Sequence, residues 1–588
     1  MILAWLLHAF YSTIAAFVLA HLTGGLTPWL AGFCLAFGTY FGWRHAKRFL
    51  PAHPDWQVKG FAAGPGGALE VALFTFMVYA AWRHFMWMLF TSEHHLATLS
   101  LNNYGDLALH INYIRAFANG ISFPPQNPIF SSEALRYPYG VDLYNALWEA
   151  VGVRLQAHLF FTGVLATIAS LVFLRSFGGW WGMGAFFLNG GANAWRIISE
   201  QRMIDIQQGV DWKNLFLSVF ITQRGMLMAL PAGLMLLISV RRHYQGEAVL
   251  TKKQMTVLGV VWGFLPLFHL HAFLIVSLLM LAIAIENQGR AGIKTFLLSK
   301  MAWLAYLPAT YLVLHSTGFF KAAGVAHISW GWTLANQDPI VYFFMNFGPW
   351  LLLPIAIFFG IYKSQGFFTP EKRKRLFIEF GCYTFFLVLF FNVMLAPWPW
   401  DNIKLLIWPY LGFARLAAVV LEPRLGGLYG HLGRLSVAAL LLFSGFASVL
   451  WTLQIPSTRA TPLFHIGDLA DAEGALLGLK TTQNISPEAV FAAATTHLHP
   501  LAYFGRMRTH GYGGHLWTHA IDSRDVKDKL DRIMSGDPNS IALARELGIT
   551  HIYWGKDERS AYGEAPRPWM DILPNVSRVP GIAIYAVK

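Results

Sequence analysis

Cysteine is nearly missing: Cys34 and Cys382 are the only two in 588 residues, and both lie inside apolar runs. Two such thiols support neither a disulfide framework nor a cysteine-based zinc site. Charge is scarce as well. Asp, Glu, Lys and Arg make up 13% of the chain, about half of the share usual in soluble domains, while apolar residues reach 55% and aromatics 15%. That balance excludes intrinsic disorder and an ordinary soluble enzyme. A basic leader region is missing too. The first segment is apolar from its second residue and has no convincing small-residue cleavage site, so it reads as a retained helix. No sequence repeat is found, which removes support for a transporter built from inverted repeats.

What is present is a succession of long apolar runs. A span needs about 20 mostly apolar residues, and that ruler marks about thirteen segments: residues 2–22, 24–43, 67–90, 157–174, 179–197, 223–240, 254–271, 272–286, 301–318, 340–362, 376–396, 405–421 and 435–453. The expectation is a polytopic α-helical membrane protein. The formal net charge of +13 then marks sides of a membrane and not a nucleic-acid partner. Alternate connections carry Arg44, Lys47, Arg48 and Lys59; Arg241, Arg242, Lys252 and Lys253; Arg290, Lys294 and Lys300; Lys363 and the run Lys372 to Arg375; and Arg424 with Arg434. The positive-inside rule puts these connections and the N-terminus in the cytoplasm. Residues 91–156, 198–222, 319–339, 397–404 and everything after 453 fall outside, in a bacterial inner membrane the periplasmic side.

After residue 453 the pattern changes. Glu488 to Phe491 and Thr550 to Trp554 read as strands, Asp525 to Met534 and Ser540 to Leu547 as amphipathic helices, and Gly581 to Val587 as a closing strand. The expected division is a membrane domain over 1–453, including a structured first outside loop at 91–156, and a small extracytoplasmic α/β domain over 454–588.

Chemistry-bearing residues gather in the outside segments. A helix over 105–118 would place Asp106, His110 and Tyr113 on one face at i, i+4 and i+7, with Gly120 ending it and the prolines after it forcing an extended return. Arg136 and Asp142 follow in the same loop. The plainer alternative is that Asp106 caps the helix and His110 packs at the headgroup level. Further on, His269 and His271 sit just after Pro266; they share a face if the helix breaks there, and a metal pair is left open. Arg224 and Lys404 are cations on the outer side, where an anionic headgroup or phosphate is the simplest reason for them; salt bridges to Asp211 and Asp401 are the alternative. In the tail, the run from His510 through His515 and Trp517 combines glycines with aromatics, which suits carbohydrate or a tightly packed turn.

The segments Gly105-Asp106-Leu-Ala-Leu-His110, Phe123-Pro-Pro-Gln126, Gln223-Arg224-Gly225, Leu267-Phe-His269-Leu-His271 and Trp400-Asp-Asn-Ile-Lys404, with the span pattern and outside tail, resemble the GT-C superfamily of membrane glycosyltransferases, bacterial members in particular. The resemblance covers nearly the whole chain in architecture, through short motifs. It implies a transferase that takes a sugar from a polyprenyl-phosphate-linked donor to a glycan, lipid or protein acceptor, inverting, with the first-loop acid Asp106 as general base. In the mechanism expected for such a transfer, Arg224, Lys404 and Arg136 would bind the donor phosphate, and His110, Tyr113, His269, His271, Asp401, Asp142, His515 and Trp517 would contact substrate. Asp106 stands alone where the family's protein-modifying branches carry adjacent acids, so neither a cofactor nor a bound metal is expected, with a divalent ion left open. A lipid-linked donor also fits the location, since nucleotide sugars stay in the cytoplasm. The alternatives are a lipid or glycan transporter or flippase, and an inactive scaffold of the same architecture.

Overall fold

The computed structural model describes residues 1–51, 53–57, 67–92, 95–99, 105–318, 326–331, 334, 337–428, 430–456, 459–465, 485–577 and 581–587. Lys59, Asn102 to Tyr104 and much of the 319–339 loop lie outside them. The chain forms two compact units: Met1–Tyr11, Gly38–Phe85 and Phe161–Pro456 make the first, and Ser12–Phe37, Met86–Phe160 and Ser457–Lys588 the second. The second unit thus contains the first outside loop from Met86 to Phe160 together with the tail from Ser457 on.

Helices dominate the first unit. Among the described residues of the whole chain seven helices are long and apolar enough to cross a membrane: Ile2–Thr23, Leu155–Phe187, Met226–Tyr244, Leu270–Gln288, Pro339–Tyr362, Trp400–Val420 and Gly430–Leu453. An eighth arises if Arg290–Leu297 and Lys300–Ser316, bent by 67°, form one span. The chain is on this ground an integral membrane protein. Thirteen spans are not supported, although each expected segment carries helix. Two of them, 157–174 and 179–197, begin in the stretch Leu155–Phe187 as two helices that meet where Gly178 and Gly179 leave helical geometry, so the expected separation there holds. Lys252–Phe268 and Lys300–Ser316 have 17 residues each, short for a 30 Å core. These two pack closely because Gly259 and Gly263, four apart, stand where a Cβ would meet Met301 O at 2.6 Å and Pro308 Cγ at 2.7 Å.

Some cations read as loop markers are internal. Arg241, in the last turn of Met226–Tyr244, is buried and donates to Glu286 and Glu379, and Arg415 donates to Glu379 as well. A charge so buried requires such partners. Arg242 pairs with Asp55 at 2.8 Å, and Arg434 with Glu422.

In the second unit the tail builds a four-stranded sheet from β1 (Val490–Ala492), β2 (Met507–Arg508), β3 (His551–Trp554) and β4 (Ala583–Ala586), in the order β4-β3-β1-β2. β1 is parallel to β2 and β3, and β4 is antiparallel to β3. Phe491, Leu501, Tyr553 and Ile584 fill one face of the sheet. Met507, Leu530, Ile533, Met534, Ile552 and Trp569 fill the other. The helices Arg524–Ser535 and Ser540–Glu546 match the amphipathic reading, the second ending before Gly548 at φ 67°. A second, three-stranded sheet joins Phe90–Ser92, His95–Thr98 and Thr461–His465, tying the first loop to the start of the tail.

Candidate functional site

The first-loop helix runs Leu107–Ala118 and is buried on nearly every side. Asn119 caps it, and Gly120 at φ 86° turns the chain away. The following segment pairs Gln126–Asn127 with Phe130–Ala134, the extended return that the prolines imply. Asp106 is the residue before the helix and is half-buried, yet its side chain makes no cap hydrogen bond. Asp106 thus stands at the N-cap position without the side-chain hydrogen bond that the capping alternative implies.

One turn on, His110 Nδ1 donates to both oxygens of Asp142 at 3.0 Å, with the two side chains 1% and 0% exposed. That contact puts a proton on Nδ1, and Nε2 is buried and without a hydrogen-bond partner among the described residues. His110 is thus packed inside the unit and not at a headgroup surface. Tyr113 is buried on the same face, its hydroxyl without a hydrogen-bond partner among the described residues. Burial first, and the Asp142 carboxylate second, push its phenol well up, against the opposing pull of Arg508. The Tyr137 ring lies 5.9 Å from His110 and 5.6 Å from Tyr113.

The tail meets this helix at both ends. At its start, His497 Nε2 lies 2.6 Å and His515 Nε2 2.9 Å from the Gly105 carbonyl oxygen. Tyr512 completes a cluster of three rings with centroids 5.0 to 5.3 Å apart. The Asp106 carboxylate is close enough to His497 to act on it electrostatically, and burial holds both imidazoles neutral, His515 down to about 3. At the far end, Arg115 Nη1 donates to Tyr503 O at 2.9 Å and Asn119 Nδ2 to Phe504 O at 2.9 Å. Gly505, at φ 66°, comes so near that a Cβ would stand 2.4 Å from Ala116 N. Gly505 thus serves close approach of the tail to the helix. Trp517 is exposed, whereas His515 is directed to Gly105.

The sequence reading missed His497 and Arg508. His497 follows the carboxyl end of β1, and Arg508 ends the parallel neighbour β2. Carboxyl ends of parallel strands are where open sheets gather functional groups, and Thr495-Thr-His497-Leu-His499 stands at that position.

The first unit holds a separate cluster. Arg224 is buried just before Met226–Tyr244. Gly225 must be glycine, because a Cβ would lie 2.2 Å from Phe268 O. The helix Lys252–Phe268 continues through Pro266 and breaks at His269, which is extended at φ −163° and accepts from Ala272 N at 3.1 Å. His269 and His271 rings are 5.9 Å apart. Lys404 lies within electrostatic reach of both and donates to Asp401 at 2.7 Å, so the salt-bridge alternative holds for that pair. In the second unit, Arg136 pairs with Glu133. Among the described residues no group of three or more His, Cys, Asp or Glu is placed to hold a metal ion.

No protein-family model matches the chain. No curated protein matches its sequence. Among solved structures, the archaeal oligosaccharyltransferase AglB from Archaeoglobus fulgidus, in complex with an inhibitory peptide and a dolichol-phosphate, is similar over 82% of this chain and 69% of that one, with a TM-score of 0.38 and 10% sequence identity.

Proposed function

We propose that the chain is a membrane glycosyltransferase that moves a sugar from a polyprenyl-phosphate-linked donor to an acceptor hydroxyl, with Asp106 as general base. The observation that carries this reading is a half-buried carboxylate at the head of a buried helix that also carries His110 and Tyr113. It belongs to a chain with seven helices among the described residues fit to span a membrane, the setting in which a lipid-linked donor is delivered.

In the reaction the acceptor hydroxyl gives its proton to Asp106 as its oxygen bonds to the anomeric carbon. The bond from that carbon to the lipid phosphate breaks, and the polyprenyl phosphate leaves with inversion. Charge develops on the departing phosphate, and cations aimed at such charge commonly supply the greater part of the rate gain. In the membrane unit this reading assigns that role to Arg224 and Lys404, with His269 and His271 beside Lys404 as orienting groups. The His110–Asp142 pair holds the helix that carries Asp106. The outer face of a bacterial inner membrane is the location this reading implies.

The test is transfer of label from radioactive polyprenyl-phosphate sugars by the purified chain in vesicles. Asp106→Asn is expected to lower the rate by roughly 10² to 10⁴ with expression and melting unchanged. Activity within threefold of the parent removes the base assignment. Label that crosses the bilayer still attached to its lipid supports the transporter instead.

A further inference from the structure

We propose that His497 and His515 are positioning residues for Asp106, holding the Gly105 carbonyl so that the tail sets the direction of the carboxylate. This rests on the transferase reading for its catalytic consequence but not for its geometry. One carbonyl oxygen offers two lone pairs, and the two Nε2 atoms at 2.6 and 2.9 Å use both. For this each imidazole must carry its proton on Nε2.

The peptide they grip is one the helix does not hold. The first backbone bond of the helix runs from His110 N to Asp106 O at 3.1 Å, so the Gly105 carbonyl lies before the ladder begins. Gly105 has no Cβ and so restrains its own backbone little, and the two imidazole bonds to its carbonyl supply restraint there. Both imidazoles are kept neutral by burial. They therefore donate without adding a positive charge that would weaken a neighbouring base. At the opposite end Tyr503, Phe504 and Gly505 seat the tail on Arg115, Ala116 and Asn119. A helix of 12 residues is thus fixed at both ends by tail segments close to 390 residues further along the chain, which makes the tail part of the site and not an appendage.

The experiment uses the full chain in lipid nanodiscs and compares His497→Ala/His515→Ala with His497→Gln/His515→Gln, since a glutamine amide places its N–H near the position of Nε2. Hydrogen exchange is followed over residues 105–110, and transfer kinetics are measured alongside. The alanine pair is expected to speed exchange there at least tenfold and to lower kcat 10- to 100-fold with KM within threefold. The glutamine pair should return both towards the parent. Unchanged exchange over 105–110 in the alanine pair overturns the proposal whatever the kinetics, and so does a kcat loss that glutamine leaves in place. If the alanine pair also exchanges fast over 524–535, the fold itself has loosened. The two single alanine variants, each keeping one donor, are then read by the same criteria. Faster exchange over 105–110 in a chain whose parent transfers no sugar removes the transferase reading and leaves the positioning geometry standing.

Discussion

The hydrogen bonds around His110 make a testable difference at the level of one side chain. Its Nδ1–H is shared between both oxygens of Asp142, and neither residue meets solvent. Asp142→Asn keeps the volume but replaces one accepting oxygen with an amide that presents its own N–H groups. Turned one way the new amide accepts a single bond; turned the other it faces a donor with a donor. Loss of a buried charge-assisted bond costs about 1 to 3 kcal/mol. Exchange at the slowest amides of Leu107–Ala118 should accelerate to match. Protection within about 0.5 kcal/mol of the parent, on that same scale, would show that the pair contributes nothing to holding the helix. The same residue pair shows what a sequence can carry. The helix that carries His110 and Tyr113, with Asp106 at its head, was legible, because helical periodicity is a local property. The partner of His110, 32 positions away, follows from tertiary packing and leaves no mark in the spacing.

At the level of elements, glycines and helix breaks decide who approaches whom. Gly505 combines φ 66° with a Cβ position 2.4 Å from Ala116 N. Gly505→Ala therefore incurs both the left-handed backbone cost, about 1 kcal/mol, and a displacement of Pro500–Tyr503 from the first-loop helix. Proteolysis of the tail in intact vesicles should quicken, while Gly548→Ala, also at positive φ but with open space around its Cβ, should show the backbone cost alone. Equal effects of the two would mean that close contact at Ala116 is unimportant. The five tail elements that the sequence announces by alternation, amphipathicity and stop glycines lie within a residue or two of where they were read, whereas Thr461–His465, Met507–Arg508 and the short helices such as Pro500–Tyr503 and Gly513–Thr518 carry no such pattern and were missed. The spans were harder. An apolar run does not disclose where near Pro266 the break falls, which is at His269. Gly178, at the break between the two helices of Leu155–Phe187, also permits a close approach, since a Cβ there would stand 3.2 Å from the Arg415 Cα.

For the molecule as a whole, the unit built from loop and tail carries an acid sensitivity that its histidines impose. Burial lowers His515 to about 3 and His551 to about 4, and lowers His497 and His510 as well. Above the ordinary histidine value of 6.5 these groups are neutral whether the unit is folded or not, and pH has no leverage through them. Between 6.5 and the lowered values the unfolded chain binds protons that the folded one refuses, so stability falls as pH falls, by about 1.4 kcal/mol per pH unit for each such histidine. His515 alone then accounts for roughly 2 kcal/mol between pH 6.5 and 5. Glu558 acts with the same sign further down. Burial would raise its carboxyl, but His499 and the N–H groups of Ala494 and Gly555 hold it below the usual carboxylate range, so its contribution is lost only as pH drops past about 4.5. Exchange over 485–577 should therefore be protected at pH 7.5 and lose protection progressively to pH 5, after correction for the intrinsic rate. His515→Gln, which keeps a donor for Gly105 but cannot be protonated in this range, should flatten that dependence by about one proton. A dependence unchanged by His515→Gln would place the acid sensitivity elsewhere in the unit, and none at all would contradict the burial of these imidazoles.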